Sequence, residues 1–183
     1  MLLLTGCRRA EIGQLQRSEI NLATGIMSIP GTRTKTKRPL VLTLPPVALE
    51  ILGSAPRRED RNYFFGVRGK GYSCWSQGKA QLDARILATT GNALTPWRWH
   101  DLRRTMRSGL GRLGVRPDVA ERAVGHVQGK VEEIYDRYQY APEIAQALAL
   151  WAEHVLALVE GRKVISADSK RVADSPRCRS RQR

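Results

Sequence analysis

The stretch PWRWHDLRRTMRSGLGRLG, residues 96–114, predicts an amphipathic helix with a histidine and an arginine near its start. Apolar residues recur at steps of three and four, and glycine and proline end the pattern, so we expect a helix over residues 100–113. Residues three apart project from one face of a helix, which places His100 beside Arg103 near an N-terminus that favours anions. The spacing suits a phosphate site, although a capping histidine and a surface arginine would give the same pattern.

The chain carries a large excess of positive charge. Lys and Arg number 31 and Asp and Glu 17 among 183 residues, a formal net charge of +14. Residues 161–183 hold a net +6, which leaves +8 for residues 1–160. The charge indicates a polyanionic partner, and nucleic acid is favoured over an acidic membrane surface. We expect one domain over residues 1–160 and a basic, disordered tail over residues 161–183.

Several other classes of protein are disfavoured by the sequence. Cys7, Cys74 and Cys178 are scattered and form no metal-ligand pattern with the histidines, so we expect a reducing compartment, no metal and no cofactor. No apolar run approaches the length of a transmembrane helix, and the opening MLLLTGC lacks the basic segment of a signal peptide. We therefore expect a cytoplasmic protein with no membrane partner.

The remaining patterns predict a mainly α protein with a small antiparallel sheet, an α+β fold. Residues 26–29 and 39–44 are predicted strands, and the charged turn between them is open to two interpretations: a solvated surface, or a lysine that reaches a DNA groove or an active site. Further helices are predicted over residues 1–5, 8–15, 45–53, 75–87 and 117–124, from about 132, and from 142 onward.

Two groups of residues are expected to be structural only. The glycine-rich segment 66–73 fails the spacing of a phosphate loop, which makes it a plain loop. The four tryptophans are expected to belong to the core instead of stacking on bases. They are Trp75, Trp97, Trp99 and Trp151.

Five sequence boxes then occur in a recognisable order. They are TGCRRAEI at residues 5–12, RTKTKRPLVLTLP at 33–45, WHDLRRT at 99–105, VGH at 124–126, and a tyrosine nine residues after that histidine. Together they resemble the tyrosine recombinase, or phage-type integrase, family, over roughly residues 1–161. The resemblance implies the catalytic-domain fold of that family and a source in a mobile element.

The resemblance also implies an active site that needs no metal. A tyrosine hydroxyl attacks a DNA phosphodiester and leaves a covalent 3′-phosphotyrosine, which a second hydroxyl later reverses. Two arginines would hold the non-bridging oxygens, one histidine would accept the tyrosine proton, the lysine would protonate the departing 5′ oxygen, and the second histidine would donate to the phosphate. In that order, the implied residues are Arg8 and Arg103, His100, Lys35, His126 and the nucleophile Tyr135, with Glu11 orienting Arg8.

Some assignments within this site stay open. Tyr138 and Tyr140 are rival hydroxyls, and Lys37 rivals Lys35 on the same turn. The partner implied is double-stranded DNA, bound by a homotetramer in the intact family and near the nucleoid in a bacterium. DNA contacts beyond the active site are expected from Arg33, Lys37, Arg38 and Arg104.

The beginning of the chain departs from the family pattern. Family members carry further helices and a separate DNA-clamping domain before the TGCR box, whereas in this sequence only four residues precede the box, which begins at Thr5. We therefore expect a domain without its first helices and impaired recombination. The alternatives are a catalytically idle DNA-binding remnant and strand relaxation like that of a type IB topoisomerase.

Overall fold

A largely helical chain surrounds a small antiparallel sheet, which confirms the predicted α+β class. The computed structural model describes residues 1–57, 62–66, 70–126 and 140–162. Within them the helices are α1 (Leu2–Thr5), α2 (Arg9–Gly13), α3 (Pro46–Gly53), α4 (Trp75–Thr90), α5 (Trp99–Arg112), α6 (Pro117–Ala123) and α7 (Ala141–Val159), and the strands are β1 (Ile20–Asn21), β2 (Ile26–Ile29) and β3 (Leu40–Thr43).

Helix α5 packs against three other helices, α1, α6 and α7. It begins after the extended residue Arg98, whose backbone N–H donates to the Asp101 carboxylate over 2.7 Å and so closes a capping box. Met106 and Leu110 are fully buried on the face that meets α1, α6 and α7. The prediction of this helix is confirmed to within one residue at each end, because periodicity and capping both act locally.

Helix α1 lies close against α5 because of a glycine. Gly6 ends α1 in the left-handed region at φ 61°, and a Cβ atom there would lie 2.6 Å from the sulfur of Met106. The predicted helix over residues 1–5 is confirmed by α1. This close approach brings the residues that follow, Cys7 and Arg8, to the first turns of α5.

The sheet has the order β1–β2–β3 with antiparallel pairs throughout. Met27 pairs with Leu42 and both are buried, while the neighbouring Val41 is exposed, as alternation along a strand requires. Both longer strands were predicted; β1 was not, since two residues carry no periodicity. A longer segment, residues 30–39, which starts with a 3₁₀ turn, joins β2 to β3 in place of a tight turn.

The predicted core position of the tryptophans is correct for one of them. Trp151 is buried, but Trp75, Trp97 and Trp99 are only half-buried, so that prediction was wrong for three of the four. The predicted helix that holds Tyr135 and most of the predicted tail lie outside the described residues. In the part of the chain that is described, none of the helices combines the length and apolarity needed to cross a membrane.

Candidate active site

Helix α2 holds the first arginine of the predicted site in a fixed orientation. Arg8 is the N-cap residue, and its backbone N–H donates to Glu11 over 2.7 Å. Its guanidinium donates to the other oxygen of the same carboxylate over 2.9 Å, and Nη2 lies 3.5 Å from the Gly125 carbonyl oxygen. Glu11 is 1% exposed, so this carboxylate cannot swing away without losing a buried ion pair. Glu11 therefore holds the Arg8 guanidinium in one orientation.

The second arginine, Arg103, is buried with half of its fork unused. It is 4% exposed, and Nη1 donates to the Gly6 carbonyl oxygen over 2.6 Å. Nη2 is also buried, and no residue in the described part of the chain accepts a hydrogen bond from it. Burial, and then the charge of Arg8, lowers the pKa of Arg103. A buried N–H of a cation without an acceptor is unfavourable, and an anionic oxygen would relieve the cost.

His100 stands on the first turn of α5, one helical turn before Arg103, and is exposed. Partial burial, followed by the charges of Arg103 and Arg104, lowers the pKa of His100 from its usual 6.5. The imidazole is therefore mostly neutral at pH 7 and has a lone pair with which to accept a proton.

The lowered pKa gives a testable titration. In a histidine NMR titration of the free protein, we expect the His100 midpoint below 6.5. Replacing Arg104 by glutamine removes one of the cations that disfavour imidazolium, so the midpoint should rise, whereas replacing the exposed Arg112 at the far end of α5 should leave it unchanged. A reaction that needs neutral His100 should slow only when the pH falls through this midpoint. A His100 midpoint above 6.5 would contradict the geometry.

The segment 30–39 is anchored on both sides of its first lysine. The Arg33 guanidinium pairs with the Glu19 carboxylate and donates to the Glu11 carbonyl oxygen over 3.2 Å. Thr34 is buried, and its hydroxyl lies 2.6 Å from the Arg38 carbonyl oxygen, which closes the loop on itself. Lys35 follows these two anchored residues and is exposed. Most of the Arg33 donors thus face protein acceptors, which leaves Arg33 poorly placed for its predicted DNA contact.

His126 is fixed by an acid that the sequence analysis did not single out. Its Nδ1 contacts the Glu121 carboxylate, and its backbone N–H donates to the Glu121 carbonyl oxygen over 2.9 Å. Arg107 donates to the other carboxylate oxygen over 2.7 Å. Partial burial raises the pKa of Glu121, but the hydrogen bonds from His126 and Arg107 outweigh it and lower the pKa. With Nδ1 engaged, Nε2 is the ring nitrogen that remains for a ligand.

These side chains line two adjoining clefts that share Arg8. The larger cleft, about 700 Å³, contains Lys35, His100 and Arg103 beside Arg8. The smaller one, about 200 Å³, contains His126, together with Arg38 and two threonines. Five of the six predicted catalytic residues therefore line the two clefts, with Arg8 common to both. The sixth, Tyr135, lies outside the described residues.

Other residues of the larger cleft were not predicted to belong to the site. Cys7 is one, and burial raises the pKa of its thiol to about 12, so it stays protonated and is no nucleophile.

Lys37 does not line either cleft and has a positive φ of 57°. Arg104 is exposed and pairs with Asp101. The described residues include no cluster of His, Cys, Asp and Glu that suits a metal ion.

Comparison with known proteins adds two findings. The model of the phage integrase family matches residues 1–141, a range that includes all six predicted catalytic positions. Prophage integrase IntA of Escherichia coli (strain K12) is 30% identical over 170 residues, which is 92% of this chain and 40% of that protein. The chain thus spans less than half the length of this curated relative.

Proposed function

The chain belongs to the phage integrase family, and on this basis we propose that it cleaves and rejoins double-stranded DNA through a 3′-phosphotyrosine. Family membership supports site-specific recombination in general. The observation that carries the finer proposal is the buried Nη2 of Arg103, a charged donor that has no acceptor among the described residues, beside a cleft lined by Arg8, His100 and Lys35. A DNA phosphate would supply the missing oxygen.

The two arginines would act on the phosphate as charge builds up in the transition state. Arg8 and Arg103 are both positioned in advance, by Glu11 and by the Gly6 carbonyl, so little reorganisation would accompany the reaction. Guanidinium groups suit this task because they stay charged and present two parallel donors. His126 would add a third donor through Nε2, with its ring held by Glu121.

The proton transfers would involve the neutral histidine and the lysine. A tyrosine hydroxyl has an ordinary pKa of about 10 and needs an acceptor at neutral pH. We assign that role to His100 and the nucleophile to Tyr135. Tyr140 is a weaker candidate because its ring is covered by the Arg122 guanidinium at 4.3 Å. Lys35 would protonate the departing 5′ oxygen, and it lines the larger cleft whereas Lys37 does not.

Partners are part of the same proposal. The net charge of +14 supports binding to DNA, with Lys37, Arg38 and Arg104 as exposed cations outside the larger cleft. A tetramer on DNA is proposed from the family. Contacts of this kind should weaken steeply as the salt concentration rises, because bound counterions are released.

The proposal is tested by trapping the covalent intermediate. The protein is incubated with a pool of nicked duplexes of randomised sequence, in which the cleaved end diffuses away and religation fails. We expect a complex that survives denaturant, and mass mapping should place the nucleotide on Tyr135. An adduct on Tyr138 or Tyr140 would overturn the nucleophile assignment. Absence of any adduct, with DNA binding retained, would favour the idle remnant. In a parallel assay on a supercoiled plasmid, relaxation without strand exchange would favour a topoisomerase.

A further inference from the structure

Three half-buried tryptophans form a cluster on one wall of the larger cleft. Trp75 and Trp97 each meet Trp99 edge to face, with ring centroids 5.6 and 5.4 Å apart. Trp75 also packs against α2, because a Cβ atom on Gly13 would lie 2.6 Å from its ring. The cluster is therefore rigid and attached to the helix that carries Arg8.

The polar edges of two of these indoles are already occupied. Trp97 donates its N–H to Asp83 and Trp99 donates to the Trp75 carbonyl oxygen, both over 2.9 Å. Neither needs a hydrogen-bonding ligand. What the indoles offer to the cleft is aromatic surface, which interacts with flat apolar or π-bonded groups.

The charge around the cluster defines the ligand further. The cleft contains six cations, of which Arg8 and Lys79 pair with Glu11 and Asp83, and its described lining residues include no carboxylate. Two cations lie over indole rings: Lys79 Nζ is 4.5 Å from the centroid of Trp97, and the Arg9 guanidinium is 5.7 Å from that of Trp75. Aromatic surface among cations is the composition of sites where proteins bind unpaired nucleotides, the rings stacking on bases and the cations holding phosphates.

We infer that the cluster of Trp75, Trp97 and Trp99 is a stacking site for an unpaired nucleobase of the DNA strand whose phosphate lies at Arg8 and Arg103. The inference rests on the proposed phosphate site. A base within an intact duplex has both faces covered by its neighbours, so only an unpaired or extruded base can stack here. The preferred substrate is then a duplex with a displaced base beside the phosphate in the cleft.

The test measures binding alone. A duplex with a single bulged base is compared with the same duplex whose bulge is abasic, so that the number of phosphates is equal and the electrostatic term is matched. By tryptophan fluorescence, we expect about 10-fold tighter binding to the duplex that carries the base, a typical effect of one stacked base. The protein is unchanged in this comparison, so altered folding cannot explain the result.

Two variants then locate the effect. Trp97→Leu should abolish the preference for the base, whereas Leu87→Ala, at an exposed position of α4 outside the cleft, should retain it. Equal affinity of the parent protein for the base and the abasic bulge would overturn the inference, as would a preference that survives in both Trp97→Leu and Trp75→Leu. Since no cleavage is measured, a chain that forms no covalent adduct still gives a clear answer here.

Discussion

Replacing Arg103 by methionine should lower the rate of adduct formation by about 1,000-fold, at the upper end of the loss caused by removing one oxyanion donor. Methionine keeps most of the buried apolar volume but removes the charge and the buried Nη2 that has no acceptor in the described chain. The same change should leave the melting temperature equal or slightly raised, because a buried charge is replaced by an apolar group. Loss of rate without loss of stability is the expected signature of a group held ready for a ligand.

The measurement is single-turnover formation of the covalent complex, beside a thermal unfolding curve. Arg103→Lys should also form the adduct slowly. The guanidinium of arginine is a rigid fork that can bind the Gly6 carbonyl and a phosphate together, and the single ammonium group of lysine cannot replace both donors. Arg112→Ala is the matched control, an exposed arginine on the same helix, and should behave like the parent. A rate within 10-fold of the parent in Arg103→Met would mean that the phosphate lies elsewhere.

Replacing Gly109 by alanine should destabilise the protein by about 2 kcal/mol, although alanine normally stabilises a helix interior. A Cβ atom at this position would lie 2.1 Å from Cζ3 of Trp151, a distance at which something must move. Trp151 is 3% exposed and its indole N–H donates to the Leu3 carbonyl oxygen over 2.8 Å, so the ring cannot shift without losing that bond.

A second glycine on the same helix supplies the control. A Cβ atom on Gly111 would approach only the end of the Arg107 side chain, at 3.9 Å. Gly111→Ala should therefore gain up to about 1 kcal/mol from reduced backbone freedom in the unfolded chain. Urea unfolding of both variants separates the effects. Equal stability of the two would show that α5 and α7 are not in contact at Gly109.

Local patterns in the sequence were sufficient to predict the described helices and the two longer strands, but not β1. The limits of α5 follow from a capping box and a 3.6-residue repeat, both contained in the sequence between Arg98 and Gly114. The predicted grouping of Arg8, His100 and Arg103 rests on a family resemblance, and these residues do line one cleft. The distance along the chain between Arg8 and the other two residues could not have predicted that they lie close together in space.

What the sequence did not reveal are the side-chain partners of particular residues, most of which lie more than ten positions away along the chain. Arg33 lies in a strongly charged segment and was expected to face DNA, but its acceptors are Glu19 and the carbonyl of Glu11. Trp97 was expected in the core, but it lies in the loop before α5 and its partner Asp83 lies on α4. An acid five residues before His126 was the available signal for Glu121, and it is a weak one.

Arg8 lies on the wall between the two clefts, and it has a single charge for both. An anion that settles beside His126 neutralises part of the attraction felt by an anion beside Arg103. By linkage, the reverse holds with the same magnitude. Inorganic sulfate held beside His126 would therefore compete with a DNA phosphate both for the charge of Arg8 and for the Nε2 donor of His126.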